Sequence, residues 1–374
     1  MSATTSTSSK NRSSFLLNFL QSAWRPALDV IAALTIGLGI GALIMWAFGY
    51  DAWKAYQGLY KGSFGSLSKL GDTLFNATPL VLTGLTFAIG VRAGLFNIGA
   101  QGQMLVGAIA AVAVGALPVG DFIPWYPLAL VVHLSLALGA AMLAGALWSL
   151  PAAYLKSIRG VHEVISTIML NWIAVWGVRY LAVRILSDPD RAEKTLSMPA
   201  TAQFATFIAR SDVTHVLWFS LLFALIVYWI LWHMPAGYGL RSTGFNPDAT
   251  KYAGINPLKS MNLAFILGGL AAGFAGASQI VGRPPIYAMY TDLSTLANLG
   301  FDGIAVALLG RNHPIGLILG AVFFGALNAG TRMMQFQAQV PFEMARVIMG
   351  IIVIAIAVPE LWRIFDVGSW LKKG

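Results

Sequence analysis

One six-residue pattern occurs twice. Asn97-Ile98-Gly99-Ala100-Gln101-Gly102 and Asn298-Leu299-Gly300-Phe301-Asp302-Gly303 both fit N-[I/L]-G-x-[Q/D]-G, and each runs into small apolar residues. The side chains on offer here, Asn97, Gln101, Gln103, Asn298 and Asp302, hydrogen-bond but sit in otherwise apolar sequence. In hydrocarbon such groups are expensive and call for a partner or a watery cavity. Their chemistry is recognition: amides and a carboxylate can meet the hydroxyls or base edges of a ligand, while Phe96, Phe301, Tyr287 and Tyr290 offer faces to a planar ring. Each also has a structural reading. Asn97 or Asn298 can cap a half-helix, Gln and Asn can lock helices together, and Asp302 can pair with a cation such as Arg346. Two glycine-interrupted apolar segments in matching places of two halves point to a transporter's substrate path.

Covalent chemistry is not expected. There is no cysteine, hence no disulfide and no thiolate ligand or nucleophile. No G-x-x-x-x-G-K-[S/T] loop is present, so the chain is not expected to hydrolyse ATP, and it is read as no enzyme. The glycines around residue 99 follow no strand and make no dinucleotide fingerprint. His133, His162, His215, His233 and His313 show no metal-binding spacing, and neither a metal nor another cofactor is expected.

The elements that must position the two hexapeptides lie in lipid. Hydrophobic residues make up 57% and charged residues 10% of the 374, against about 25% charged in soluble domains. The net charge of +9 is spread over loops, which suits anionic headgroups better than nucleic acid. With about 20 apolar residues per span, the sequence predicts ten segments, near 28–49, 73–91, 100–118, 127–150, 163–185, 214–233, 260–282, 296–310, 314–331 and 343–358. The third and eighth each abut a hexapeptide and can be broken or re-entrant. The fold expected is an all-α polytopic membrane protein with two inverted-like halves. Residues 1–26 are expected as a flexible cytoplasmic tail, 27–360 as the transmembrane domain and 361–374 as a cytoplasmic C-terminal tail. Lys10, Arg12, Arg25, Arg92, Lys156, Arg159, Arg241, Lys251, Lys259, Arg311, Arg363, Lys372 and Lys373 fall on one side, and the positive-inside rule then puts both termini in the cytoplasm. Trp46, Trp53, Trp125, Trp148, Trp232 and Trp362 lie near span ends, where indoles anchor at headgroup level. The pairs Gly37/Gly41, Gly269/Gly273 and Gly316/Gly320 make flat stripes for close helix packing.

One loop, 234–259, is marked for a short helix. Asn246 suits an N-cap, Pro247 the first helical position, and Asp248 the positive end of the dipole. Lys251, Tyr252 and Ala253 continue it, Gly254 supplies a left-handed stop, and Pro257 follows. Two turns are too short to be stable alone, so either a partner surface holds this helix or it is a mere structured turn. Glu163 likewise serves either the N-terminus of its span or a second partner contact.

The loop resembles the coupling helix of ABC importer permeases. The wider chain resembles the permeases for nucleosides and simple sugars, relatives of the ribose and branched-chain amino-acid permeases. The match is carried by GLFNIGAQGQMLVG from Gly94 to Gly107, GVHEVISTIMLN from Gly160 to Asn171, the run Gly237–Gly254, and GFDGIAVALLGRNHPIG from Gly300 to Gly316. It covers roughly residues 75–360; Gln101 departs from it, an acidic residue being usual there. The resemblance implies a bacterial inner-membrane permease subunit and a separate cytoplasmic ABC ATPase docking on residues 246–254. It further implies a second, related permease chain forming a heterodimer, and an external binding lipoprotein or periplasmic protein that hands over the solute. The competing expectation is an ion-coupled secondary transporter of a small polar solute, using Asp302 and Glu163.

Overall fold

Caps written in the sequence set the helix boundaries. Ser66 accepts the Lys69 N–H (3.2 Å) and opens a long helix. Asn256 accepts the N–H groups of Leu258 and Lys259 (3.0 and 3.3 Å) ahead of Pro257. Gly160, in the left-handed region at φ 66°, ends the longest helix. The computed structural model describes residues 30–364. Its α-helices are α1 (Val30–Ala47), α2 (Ala52–Phe64), α3 (Leu67–Arg92), α4 (Ala100–Gly115), α5 (Val119–Phe122), α6 (Tyr126–Arg159), α7 (Glu163–Arg184), α8 (Val216–His233), α9 (Pro235–Phe245), α10 (Pro247–Tyr252), α11 (Pro257–Val281), α12 (Leu299–Leu309), α13 (Pro314–Ala338) and α14 (Glu343–Ile364). Among the described residues, eight helices are long and apolar enough to cross a membrane.

Each of the ten expected segments coincides with a helix. The eighth, α12, has 11 residues, about 16 Å at 1.5 Å per residue, and is half a span. Three helices were not expected, α2, the single turn α5, and α9. The tail expected at 1–26 lies outside the described residues, as do 365–374; residues 361–364 are the last turn of α14.

The chain divides into two compact units. In the first, α1 and α14 meet where Gly37 faces Ile352, leaving no room for a side chain at 37. The second, Tyr56–Gln337, is built on α3 and α11. Thr86 Oγ1 donates to the Gly268 carbonyl (2.9 Å), and the Arg283 guanidinium lies 5.6 Å from the Phe75 ring. Residue numbers rise on one helix as they fall on the other, so the two run antiparallel. The short helices are exchanged between them: α4 packs on α11, and α12 on α3. Gly107 abuts Gly273, where an added Cβ would sit 2.8 Å from the Gly273 oxygen, and Gly303 abuts Thr83. This is the inverted-half arrangement the repeated hexapeptide predicts.

Small residues do the packing. Gly269 meets Gly145 and Ala146 of α6, Gly273 meets Ala141, Gly316 meets Gly310, and Gly320 meets Val306. Contacts this close rest on dispersion in lipid, where apolar burial alone gains little. Trp46, Trp53 and Trp125 are exposed, as anchors should be. Trp148 and Trp232 are half-buried, and Trp362 lies beyond the described side chains.

Candidate functional site

The two hexapeptides meet. Gly300 N–H donates to Gln101 Oε1 (2.8 Å), and Gln101 Nε2 donates to the Leu296 carbonyl (2.9 Å). A single amide thus satisfies a donor in the first turn of α12 and an acceptor just ahead of it. This explains the departure at 101: a carboxylate could accept from Gly300 but not donate to Leu296. Asn171, on α7, does the same for the first hexapeptide. It accepts the Gly102 N–H (2.8 Å) and donates to the Ile98 carbonyl (2.9 Å). Irregular backbone at membrane depth survives only when protein satisfies it in this way.

The remaining polar candidates separate by role. Asn97 Oδ1 accepts the Gly99 N–H (2.9 Å) and faces Gln103 Nε2 at 3.5 Å, both side chains buried. Asn97 therefore closes a local turn just ahead of α4, whose N-cap is Gly99. Asn298 makes no side-chain cap and takes the left-handed conformation, φ 64°. Leu293 is left-handed as well, at φ 61°; in residues other than glycine this conformation is uncommon and often marks functional segments.

A pocket of about 390 Å³ opens at this junction. Of the expected substrate-path residues, Gln101, Asn298 and Phe301 line it; Asn97, Gln103, Phe96 and Asp302 do not. Phe96 packs edge-on against Phe87, centroids 4.8 Å apart. Tyr287 donates its hydroxyl to the Phe204 carbonyl (3.0 Å), and neither it nor Tyr290 reaches the pocket. The wall comes instead from α7, with Ile168, Asn171, Trp172, Val175 and Arg179, and from Asp292. Ser294 N–H donates to Asp292 Oδ1 (2.9 Å), and this bond holds the carboxyl below its ordinary value. Trp172 and Phe301 are 59% and 42% exposed, leaving two aromatic faces open.

A second cavity, about 290 Å³, is lined by Lys69, Asp72, Asp212, Arg283 and Arg332 among others. Burial and the nearby Asp72 raise the Asp212 carboxyl. Neither hexapeptide contributes to this cavity.

Glu163 is buried. It pairs with Lys156 (2.7 Å) and accepts the Phe96 N–H (3.2 Å), so it ties the entry of the first hexapeptide to the α6–α7 turn. The loop 234–259 lies at the same end of the second unit, since Gly244 abuts Arg92 and Gly94. α10 is capped as expected: Asn246 Oδ1 accepts the Ala249 N–H (3.0 Å), and Gly254 closes it at φ 81°. Pro247, Asp248, Lys251, Ala253 and Gly254 are all exposed, Tyr252 is 94% exposed and Phe245 88%. Thr250 alone is buried in α10, its hydroxyl turned back to the Asn246 carbonyl (2.8 Å). A concavity of about 350 Å³ lies between α9 and α10.

Comparison with known proteins decides what this architecture is. The family model for the branched-chain amino acid transport system / permease component matches residues 70–357. The chain belongs to this family. It is 37% identical over 350 residues to the guanosine ABC transporter permease protein NupP of Bacillus subtilis (strain 168), covering 92% of this chain and 96% of the relative. It is 32% identical over 344 residues to the nucleoside ABC transporter permease protein NupB of Lactococcus lactis subsp. cremoris (strain MG1363), covering 89% and 91%. A glucose ABC transporter permease protein of Haloferax volcanii is 28% identical over 362 residues, covering 92% and 89%. No solved structure matches the chain.

The permease is thus a transport subunit of an ABC system and not an enzyme, and the ion-coupled alternative is not favoured. Sequence reasoning missed the α7 wall of its pocket. The signal was there: Ile168, Trp172, Val175 and Arg179 recur at spacings of four, three and four, one face of a helix. An arginine inside an apolar span asks for an explanation, and Asn171 sits on that same face.

Proposed function

We propose that the permease passes a nucleoside through the pocket at the junction of the two hexapeptides. One observation carries this: open Trp172 and Phe301 rings stand beside Asn171, Gln101, Asn298 and Asp292 in a single pocket. A planar base is held by stacking, and ribose hydroxyls by amides and a carboxylate, while the Arg179 cation in the wall is offset by the field of Asp292. The guanosine and nucleoside names of two relatives support the reading; the glucose relative leaves a simple sugar as the second choice.

In this reading Gln101, Asn298 and Phe301 contact solute, while Asn97, Gln103 and Phe96 hold the hinge, and Asp302 completes the first turn of α12. Residues Asn246–Gly254 dock on a cytoplasmic ABC ATPase, with Tyr252 and Phe245 filling a cleft in it. An external binding protein delivers the solute, and a second, related permease completes the path as a heterodimer. Arg92, Arg241, Lys251 and Arg311 gather at the α10 end; the positive-inside rule makes that end cytoplasmic.

The test is ATP-driven uptake of labelled guanosine by vesicles holding the assembled transporter. Trp172→Ala should cut uptake about tenfold, from the loss of about 1–3 kcal/mol of stacking, with ATPase co-purification unchanged. Ala253→Glu should release the ATPase. Uptake that survives without ATP and collapses with an ionophore would overturn the reading.

A further inference from the structure

At the α10 end of the second unit, two guanidinium groups share one indole. Arg92 lies 5.3 Å and Arg241 5.6 Å from the Trp232 ring centroid. His313 packs on the same ring at 4.7 Å, and Tyr228 stacks beside it at 5.3 Å. Arg92 is partly satisfied: its Nε donates to the Asn312 carbonyl (3.0 Å) and an Nη to that of Arg311 (3.3 Å). Arg241 has no acceptor among the described residues, and its Nε is buried. The ion pairs among the described residues involve neither arginine. His313 adds no compensating negative charge; its Nδ1 accepts the Ile315 N–H (3.3 Å) at the start of α13, whose N-terminus is itself a positive dipole end.

Two half-buried cations on one platform, with no carboxylate near, are a net cost. Cation–π contact with Trp232 offsets part of it but does not satisfy the N–H donors. An anion with several acceptor oxygens would.

We propose that this cluster binds the phosphate of an anionic lipid headgroup. The phosphate accepts from the outer N–H groups of the half-buried Arg241 guanidinium and from the free side of the Arg92 guanidinium, with Trp232 beneath and Tyr228 at the rim. Lipid is favoured over an acidic protein partner by what adjoins the cluster. On α8, Trp218, Leu222, Leu225 and Trp229 form one exposed apolar stripe at helical spacing. Trp232 continues that stripe by three residues, so an acyl chain has a track from the headgroup site. The inference stands apart from the choice of solute.

The experiment uses the purified, assembled transporter and three probes: phosphatidylglycerol, phosphatidylcholine and inorganic phosphate. Phosphatidylglycerol should raise the thermal midpoint, and the other two should not. Arg241→Gln should weaken the apparent phosphatidylglycerol affinity about five- to tenfold, while Arg210→Gln leaves it unchanged. Should Arg241→Gln fail to assemble, the wild type still decides: phosphatidylglycerol carrying a photoreactive diazirine in one acyl chain should label residues 222–241. Labelling only elsewhere overturns the proposal, as does an undiminished effect in Arg241→Gln. An equal response to phosphatidylcholine or to inorganic phosphate alone overturns it too. So does loss of the ATPase from Arg241→Gln with lipid binding intact, which would mean that a protein carboxylate occupies the site.

Discussion

The two hexapeptides share a pattern and differ in use. In the first, Asn97 turns its side chain onto Gly99 and is buried with Gln103, and the segment enters a 16-residue helix. In the second, Asn298 takes a left-handed backbone, keeps its side chain off the helix end and presents it to the pocket, and only 11 helical residues follow. Both breaks are clamped by a remote amide, Asn171 for the first and Gln101 for the second, and the first adds a bond of its own, from Gly99 N–H to Asn97. The contrast teaches that an internal repeat conserves the break in a helix but not the way the break is satisfied. The copy whose asparagine makes no bond to the start of its own helix is the one that presents it to the pocket.

The largest test of that contrast is steric. A Cβ at 300 would overlap the Gln101 backbone, whereas one at 99 would meet side-chain atoms, Asn97 Oδ1 at 2.9 Å and Gln103 Nε2 at 3.1 Å. Gly300→Leu should abolish uptake, and Gly99→Leu should leave a measurable residue. Equal loss in vesicle uptake would mean that the two junctions are equally rigid.

Next is Gln101. Gln101→Leu strands the Gly300 N–H and the Leu296 carbonyl, at about 1–3 kcal/mol for each buried group left unsatisfied. The thermal midpoint should fall, and Gln101→Glu should recover only part of it, since it can accept but, when ionised, not donate. Full recovery by glutamate would remove the two-way role assigned to this amide.

Smaller effects should separate the two asparagines. Asn97→Ala leaves the buried Gly99 N–H without its acceptor, at about 1–3 kcal/mol, and should lower stability more than it lowers solute affinity. Asn298→Gly, at a positive φ that glycine tolerates, should leave stability within about 1 kcal/mol and weaken solute affinity instead. The same response from both would erase the distinction.

The smallest expected effect is in pH. Asp292 is held below its ordinary value, so its folded form is favoured by ionisation and loses that support only as pH falls through the lowered value. From pH 5 to 8 it stays charged, and guanosine uptake should show no step attributable to it. A step abolished by Asp292→Asn would contradict this assignment.

Much of this architecture is legible in the sequence because helices in lipid satisfy their own backbone, so apolar length reports spans directly. The caps at Asn246, Asn256 and Gly254 are local and were equally readable. α9 was missed although Pro235 marks its first position, since its apolar residues are too few to show a period. The α2 helix was missed for another reason: Trp53 reads as an interfacial anchor rather than as part of a helical face.

What the sequence determined by itself is whatever depends on neighbours along the chain: helical spans, the two breaks, the capped turn of α10. What only the tertiary structure decided is which polar groups at the breaks face one another. Gln101 lies 199 residues from Gly300 and Asn171 lies 69 from Gly102, and no periodicity spans such distances. Hydrogen bonds between remote segments depend on how antiparallel helices pack through glycine, so the division of labour between hinge and pocket appears only once α3 and α11 are side by side.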